Sequence, residues 1–169
     1  IGRVAFSSTR TTITPTAVES EPMANVIPDE VRIRLDVRTM SGVGEAEVLD
    51  ILGGILGDLA DDVEIVLGDT IPATSSPTGT PLWETLQRVG RRFFPGADLL
   101  PMLMIGGTDA RVFRPGGTIA YGFGIYSGRL GMDEMATMGQ GDNERIDVES
   151  LPLEPELWPA IVDASFGAS

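Results

Sequence analysis

The chain contains no histidine, no cysteine and no lysine among its 169 residues. Each absence removes a class of chemistry. Without an imidazole, this chain alone can assemble no Ser-His-Asp triad, no Cys-His pair and no histidine-ligated zinc site. Without cysteine there are no disulfides and no thiolate metal ligands, and the usual indicator of redox compartment is missing. Without lysine there is no phosphate-cradling G-x-x-x-x-G-K loop. Long apolar runs are absent too: none approaches the roughly 18 residues that a membrane span needs. No EF-hand loop of the D-x-D-x-D-G kind occurs, and no basic start followed by an apolar stretch marks a signal peptide. The expectation is a soluble, cytoplasmic chain with no membrane partner.

What is present is acidic. Twenty-five carboxylates face 12 bases, all of them arginine, for a net charge of −13. Phosphate binding needs a basic surface, so no nucleic-acid partner is expected; the acidity itself mainly aids solubility. A site for magnesium or calcium built from carboxylates alone stays open. The length and an apolar fraction of 42 % suit a chain that buries a core in one large domain or two small ones.

Periodicity divides the chain. The opening IGRVAFSSTRTTITPTAVES is rich in Thr, Ile and Val and predicts an extended strand. In VRIRLDVR, Val31, Ile33, Leu35 and Val37 alternate with Arg32, Arg34, Asp36 and Arg38, which predicts a strand with one face in a core and one in water. In GEAEVLDILGGILGDLADDV, Val48, Leu49, Leu52, Ile55, Leu56 and Leu59 fall on one side at helical spacing. Gly53, Gly54 and Gly57 each cost about 1 kcal/mol against alanine, so that helix must lean on packing. VEIVLGDTI predicts another strand. Two strands, a helix and a strand suggest a helix-covered antiparallel sheet of the ferredoxin-like, α+β sort.

The Pro, Ser, Thr and Gly run PATSSPTGTP, residues 72–81, is the candidate domain boundary. Beyond it PLWETLQRVGRRFFPG predicts a helix with proline at its start and Pro-Gly at its end. ADLLPMLMIGG and GTIAYGFGIY read as buried strands, TDARVFR between them as a short helix capped by Thr108 or Asp109, and EPELWPAIVDASFG as a closing helix with an internal proline. Two apolar strands flanking a helix predict a parallel βαβ step covered on both faces.

Three stretches offer chemistry. GGTDAR, residues 106–111, lies where a strand gives way to a helix, a junction that lines ligand crevices in open α/β sheets, and its glycines allow close approach; it also fits a tight turn with an ordinary cap. Asn25 precedes the alternating strand, where a turn asparagine is equally at home. Arg38 ends that strand with a fork that can hold a carboxylate in bidentate fashion. Finally, MGQGDNERIDVESL, residues 138–151, combines a glycine-flanked turn with Asn-Glu-Arg.

NVIPDEVRIRLDVR, GGTDARVFRPGGTIAYGFG and GQGDNERIDVESL, in this order and at these separations, resemble the C-terminal half of the zinc amidohydrolases that include aminoacylase, acetylornithine deacetylase, succinyl-diaminopimelate desuccinylase and glutamate carboxypeptidase. The resemblance covers nearly the whole chain. It implies that residues 1–74 are the later part of an inserted lid domain, which in the family forms a homodimer. Residues 78–169 would then be the C-terminal segment of a zinc-peptidase-like α/β catalytic domain. It also implies that most zinc ligands and the glutamate base lie outside this chain. The activity implied is metal-dependent hydrolysis of an N-acyl amino acid or small peptide, with the metal polarising the carbonyl and activating water.

Residue by residue, the resemblance assigns Asn25 and Arg38, thirteen apart, to the substrate carboxylate, and Gly107 and Thr108 to the substrate pocket. The last zinc ligand of the family, a histidine, falls on Gln140, before Gly141, Asp142, Asn143, Glu144 and Arg145. An amide oxygen is a poor zinc ligand beside imidazole. That change leaves three competing explanations: a one-metal or altered site, substitution by a neighbouring carboxylate such as Asp142, or loss of catalysis. The isolated chain is expected to be inactive, to bind no zinc tightly and to supply no catalytic residue. The alternative expectation is a catalytically silent relative, or a dimerisation module that pairs through residues 45–60 and an edge strand.

Overall fold

A computed structural model of the chain describes residues 2–21 and 23–167. Among these residues it is a mixed α and β protein with six α-helices and one two-stranded antiparallel sheet. The chain forms two compact units, one of Phe6–Thr74 and one of Ser75 onward together with the start of the chain, so the division falls inside the Pro/Ser/Thr/Gly run.

The chain opens with a short helix, α1 (Gly2–Ser8), where a strand is expected, and β1 begins only at Thr12. β1 (Thr12–Ser20) pairs antiparallel with β2 (Val31–Arg38), from Thr12 opposite Arg38 to Ser20 opposite Val31. The register slips between Pro15 and Ala17. Proline has no N–H to give to a ladder, and a bulge is where a strand accommodates it; the Thr16 hydroxyl donates instead to the Arg34 carbonyl at 3.2 Å.

β2 alternates as expected, but its apolar face is not covered: Val31 and Ile33 are 53 % and 60 % exposed. The charged face pairs off in solvent, Arg34 with Glu19 at 3.3 Å, Arg38 with Asp36 at 2.8 Å and Arg32 with Glu30. Helix α2 (Glu45–Leu56) starts where Glu47 accepts the Gly44 N–H at 3.0 Å, and runs into a 3₁₀ turn, Gly57–Asp62. Val48 and Leu52 are its buried face. VEIVLGDTI forms no ladder, contrary to the strand expected there; Thr70 donates to Glu45 at 2.6 Å, which returns the segment to the start of α2.

In the second unit α3 (Pro81–Phe93) begins as expected. Thr80 accepts the Trp83 N–H at 3.2 Å, Pro81 takes the first turn, and Arg91 and Arg92 close the last. It packs on α6 (Leu153–Phe166), which carries Pro159 inside it. Leu86 and Val89 of α3, Leu157 and Ile161 of α6, and Ile125 form the core. The two runs expected to be buried strands, 97–107 and 117–126, form no ladder. Their burial still alternates: Leu99, Tyr121, Phe123 and Ile125 turn to the helices, while Leu100, Met102 and Met104 are 83 %, 57 % and 59 % exposed. The expectation of two covered faces is corrected to one. An apolar run is buried only where something packs on it, and within this unit α3 and α6 supply a single layer.

Candidate functional site

Asn25 and Arg38 sit at opposite ends of one hairpin. Asn25 belongs to the loop joining Ser20 to Val31, which is turned by the Val26 N–H donating to the Met23 carbonyl at 3.3 Å. Arg38 lies at the far end of β2, seven residues or about 23 Å of strand from Val31. Its Nε donates to Asp36 at 2.8 Å, so a ligand carboxylate would meet a guanidinium already engaged by an acid. The hairpin loop encloses an open cavity of about 540 Å³, bordered by Glu19, Glu21, Asp29 and Glu30 with Arg32. That rim is acidic and does not favour an anionic ligand.

Gly107 and Thr108 lie in the other unit, at the turn into α4 (Ala110–Phe113). The helix is capped at Asp109, with no side-chain cap bond, while the Thr108 carbonyl accepts the Arg111 N–H at 3.1 Å. A Cβ at Gly107 would stand 3.3 Å from the Arg111 guanidinium, close enough that this exposed side chain would shift by a few tenths of an ångström. After α4, Arg114 donates to the Ala120 carbonyl at 2.7 Å and to the Ser76 hydroxyl at 3.3 Å, fixing the exit from this turn.

Gln140 occupies the most constrained backbone of the three motifs. Its φ is 57°, left-handed, and among the described residues it is the one non-glycine with positive φ. Such a conformation costs an L-residue about 1–2 kcal/mol. The loop holds it there from inside. Glu144 accepts the Gln140 N–H at 3.3 Å, the Arg145 N–H donates to the Met138 carbonyl at 2.9 Å, and the Arg145 guanidinium bonds the Thr137 hydroxyl at 3.0 Å and the Thr137 and Asn143 carbonyls. Glu144 and Arg145 are therefore committed to shaping the turn. The Gln140 side chain is exposed and makes no hydrogen bond among the described residues.

A polar cluster not anticipated from the sequence lies seven residues further on. The buried Asp147 carboxylate accepts the Ser127 and Ser150 hydroxyls, each at 2.6 Å, and pairs with the Arg129 guanidinium. Ser150 in turn accepts the Ser127 N–H at 2.8 Å, and Glu149 takes the other side of Arg129 at 2.8 Å. The Ser127 and Ser150 hydroxyls, helped by the Arg129 charge, outweigh burial and hold the Asp147 carboxyl down at about 2. The local half of this cluster has a visible signal, since Asp147-x-x-Ser150 is a spacing at which a side chain reaches back across a turn. Its other half, Ser127 and Arg129, carries none.

Among the described residues no group of three or more carboxylates is placed to hold a metal ion, and the sequence has no histidine or cysteine to add. No helix among the described residues is long and apolar enough to cross a membrane. No family model, no curated protein and no solved structure matches the chain.

Proposed function

We propose that the chain is the C-terminal portion of a cytoplasmic, metal-dependent hydrolase of N-acyl amino acids or small peptides, inactive in isolation. On this reading Phe6–Thr74 belongs to a ferredoxin-like lid, and the unit from Ser75 onward to a zinc-peptidase-like catalytic domain. The observation that carries the proposal is the Gly139-Gln140-Gly141 turn, where Glu144 and Arg145 hold a left-handed residue whose side chain is left exposed. Strain of this kind persists where the surroundings impose it, and it clusters at functional positions. Residue 140 is the position that the resemblance assigns to a metal ligand. A second support is the bare face of 97–107: Leu100, Met102 and Met104 are exposed as they would be in half of a sheet domain.

The chain's own part in the chemistry would be binding. Arg38 would exchange Asp36 for the substrate carboxylate, Asn25, at the opposite end of the hairpin, would reach a carboxylate only from a partner subunit, and Gly107 and Thr108 would leave room for the acyl portion. Zinc and the proton-accepting glutamate would come from elsewhere in the protein. The purified 169-residue chain is expected to show no amide hydrolysis with added zinc. The reading is tested on the whole protein by metal content, wild type against Gln140→His. Tighter retention of zinc by the histidine variant is expected; equal retention would remove residue 140 from any metal site.

A dimerisation module is the second reading, favoured by the exposed Val31 and Ile33 face of β2 and by Ile55 and Leu59, 69 % and 61 % exposed, beside it in sequence. Homodimerisation through this unit is expected in light scattering, and a strictly monomeric chain at high concentration would oppose it.

A further inference from the structure

Residues 128–146 form a loop whose two ends meet at the Asp147 cluster. Ser127 and Arg129 stand at its entry, Asp147 and Ser150 at its exit, and they are joined by the 2.6 Å bonds of both serines to Asp147, the 2.8 Å bond of the Ser127 N–H to Ser150 and the Arg129 ion pair. Between these ends lies little that could hold the loop by packing. Its one helix, α5 (Met132–Met135), has four residues, and Met138 is the one buried apolar side chain among the described residues of the span. The core of this unit, by contrast, is made by α3, α6 and Ile125.

We propose that the Ser127–Arg129–Asp147–Ser150 cluster is the latch of an independently opening loop, and that Asp147 is its hub. A buried carboxylate meeting two hydroxyls and a guanidinium is fastened by charge-assisted hydrogen bonds, roughly twice as strong as neutral ones. Removing the charge therefore weakens the hold on both serines and breaks one of the two ion pairs of Arg129, leaving its pair with Glu149 at 2.8 Å. The internal bonds of the loop, Arg145 to Thr137, Met138 and Asn143, lie within the loop itself and would fray once its ends part. The Gln140 turn thus has two layers of support: its own clamp, and beneath it the latch that fastens the ends of the loop to the rest of the unit. The inference stands whether or not residue 140 meets a metal.

Amide hydrogen exchange on the full chain tests this. In Asp147→Asn the Glu144 and Arg145 amides, bonded to Gly141 and Met138 in the native loop, should exchange about tenfold faster or more, with the Val89 and Leu157 amides unchanged, as expected for local opening. Ser127→Ala should give a smaller increase, and no further increase on top of Asp147→Asn, because the two act through one cluster. Three results would overturn the latch: loop amides unprotected in the native chain, loop rates unmoved by Asp147→Asn, or core amides accelerated by the same factor. Should Asp147→Asn fail to fold, Ser127→Ala and Ser150→Ala carry the test, and unchanged Arg145 exchange in both would overturn it.

Discussion

The α3–α6 layer and the 128–146 loop are neighbours in one unit, held by opposite means. Val89 and Leu157 are wholly buried, and the helices that carry them are fixed by apolar contact across the core. The loop is fixed by a handful of polar bonds around Asp147 and Arg145. Apolar packing is broad and carries no charge that pH can change, whereas a polar latch is narrow and answers to single atoms and to pH. The difference teaches where tolerance should lie: many small changes in the loop, very few in the layer.

The largest effect should come from the layer. Leu157→Ala opens a cavity at its centre and should cost about 2–5 kcal/mol in denaturant unfolding of this unit; a loss under about 1 kcal/mol would mean that α6 is not seated as described. Acid should discriminate next. Asp147 binds its proton more weakly folded than unfolded, so its contribution is complete above the unfolded value near 4 and disappears as pH falls through about 2. Arg145 amide protection should therefore drop between about pH 4 and about pH 2 in the native chain, and that step should be missing in Asp147→Asn. An unaltered acid profile in the variant would place the transition on other carboxylates.

Gln140→Gly should stabilise the loop by about 0.5–1 kcal/mol, because glycine accepts the left-handed backbone without a Cβ clash; measured destabilisation would show that the glutamine side chain has a partner. The smallest effect should be at the hairpin, where Glu19→Ala removes its ion pair with Arg34, whose side chains are 57 % and 72 % exposed. No shift in unfolding midpoint is expected from such a pair, and a clear one would mark the hairpin as part of a larger charge network.

Legibility followed the range of the interactions. Helix α3 could be read end to end, because Pro81 at its start and the Pro95-Gly96 stop are local signals; its Thr80 cap was added by the structure. So could the presence of α2, from its apolar spacing, and the alternation of β2. Apolar runs were misleading in a consistent way. Residues 63–71, 97–107 and 117–126 have the composition of strands, but a ladder needs a partner, and composition says nothing about whether one is there. The same gap explains β2, whose apolar face was foreseen and whose exposure was not. At the site, Gln140 was visible as an oddity of type, and its left-handed backbone was not, since glycine neighbours alone do not set φ. Asn25 and Arg38, thirteen apart in sequence, sit at opposite ends of β2 because the residues between them are spent on a strand. Ser127 and Asp147, twenty apart, share a hydrogen bond because the chain between them loops back.

Arg145 carries one further consequence. A guanidinium does not lose its proton in any ordinary buffer, and this chain has neither histidine nor cysteine nor lysine. For the isolated chain, which offers no imidazole, thiol or amine side chain, a change in affinity at the Gln140 turn around neutral pH would therefore report the ligand's own protonation.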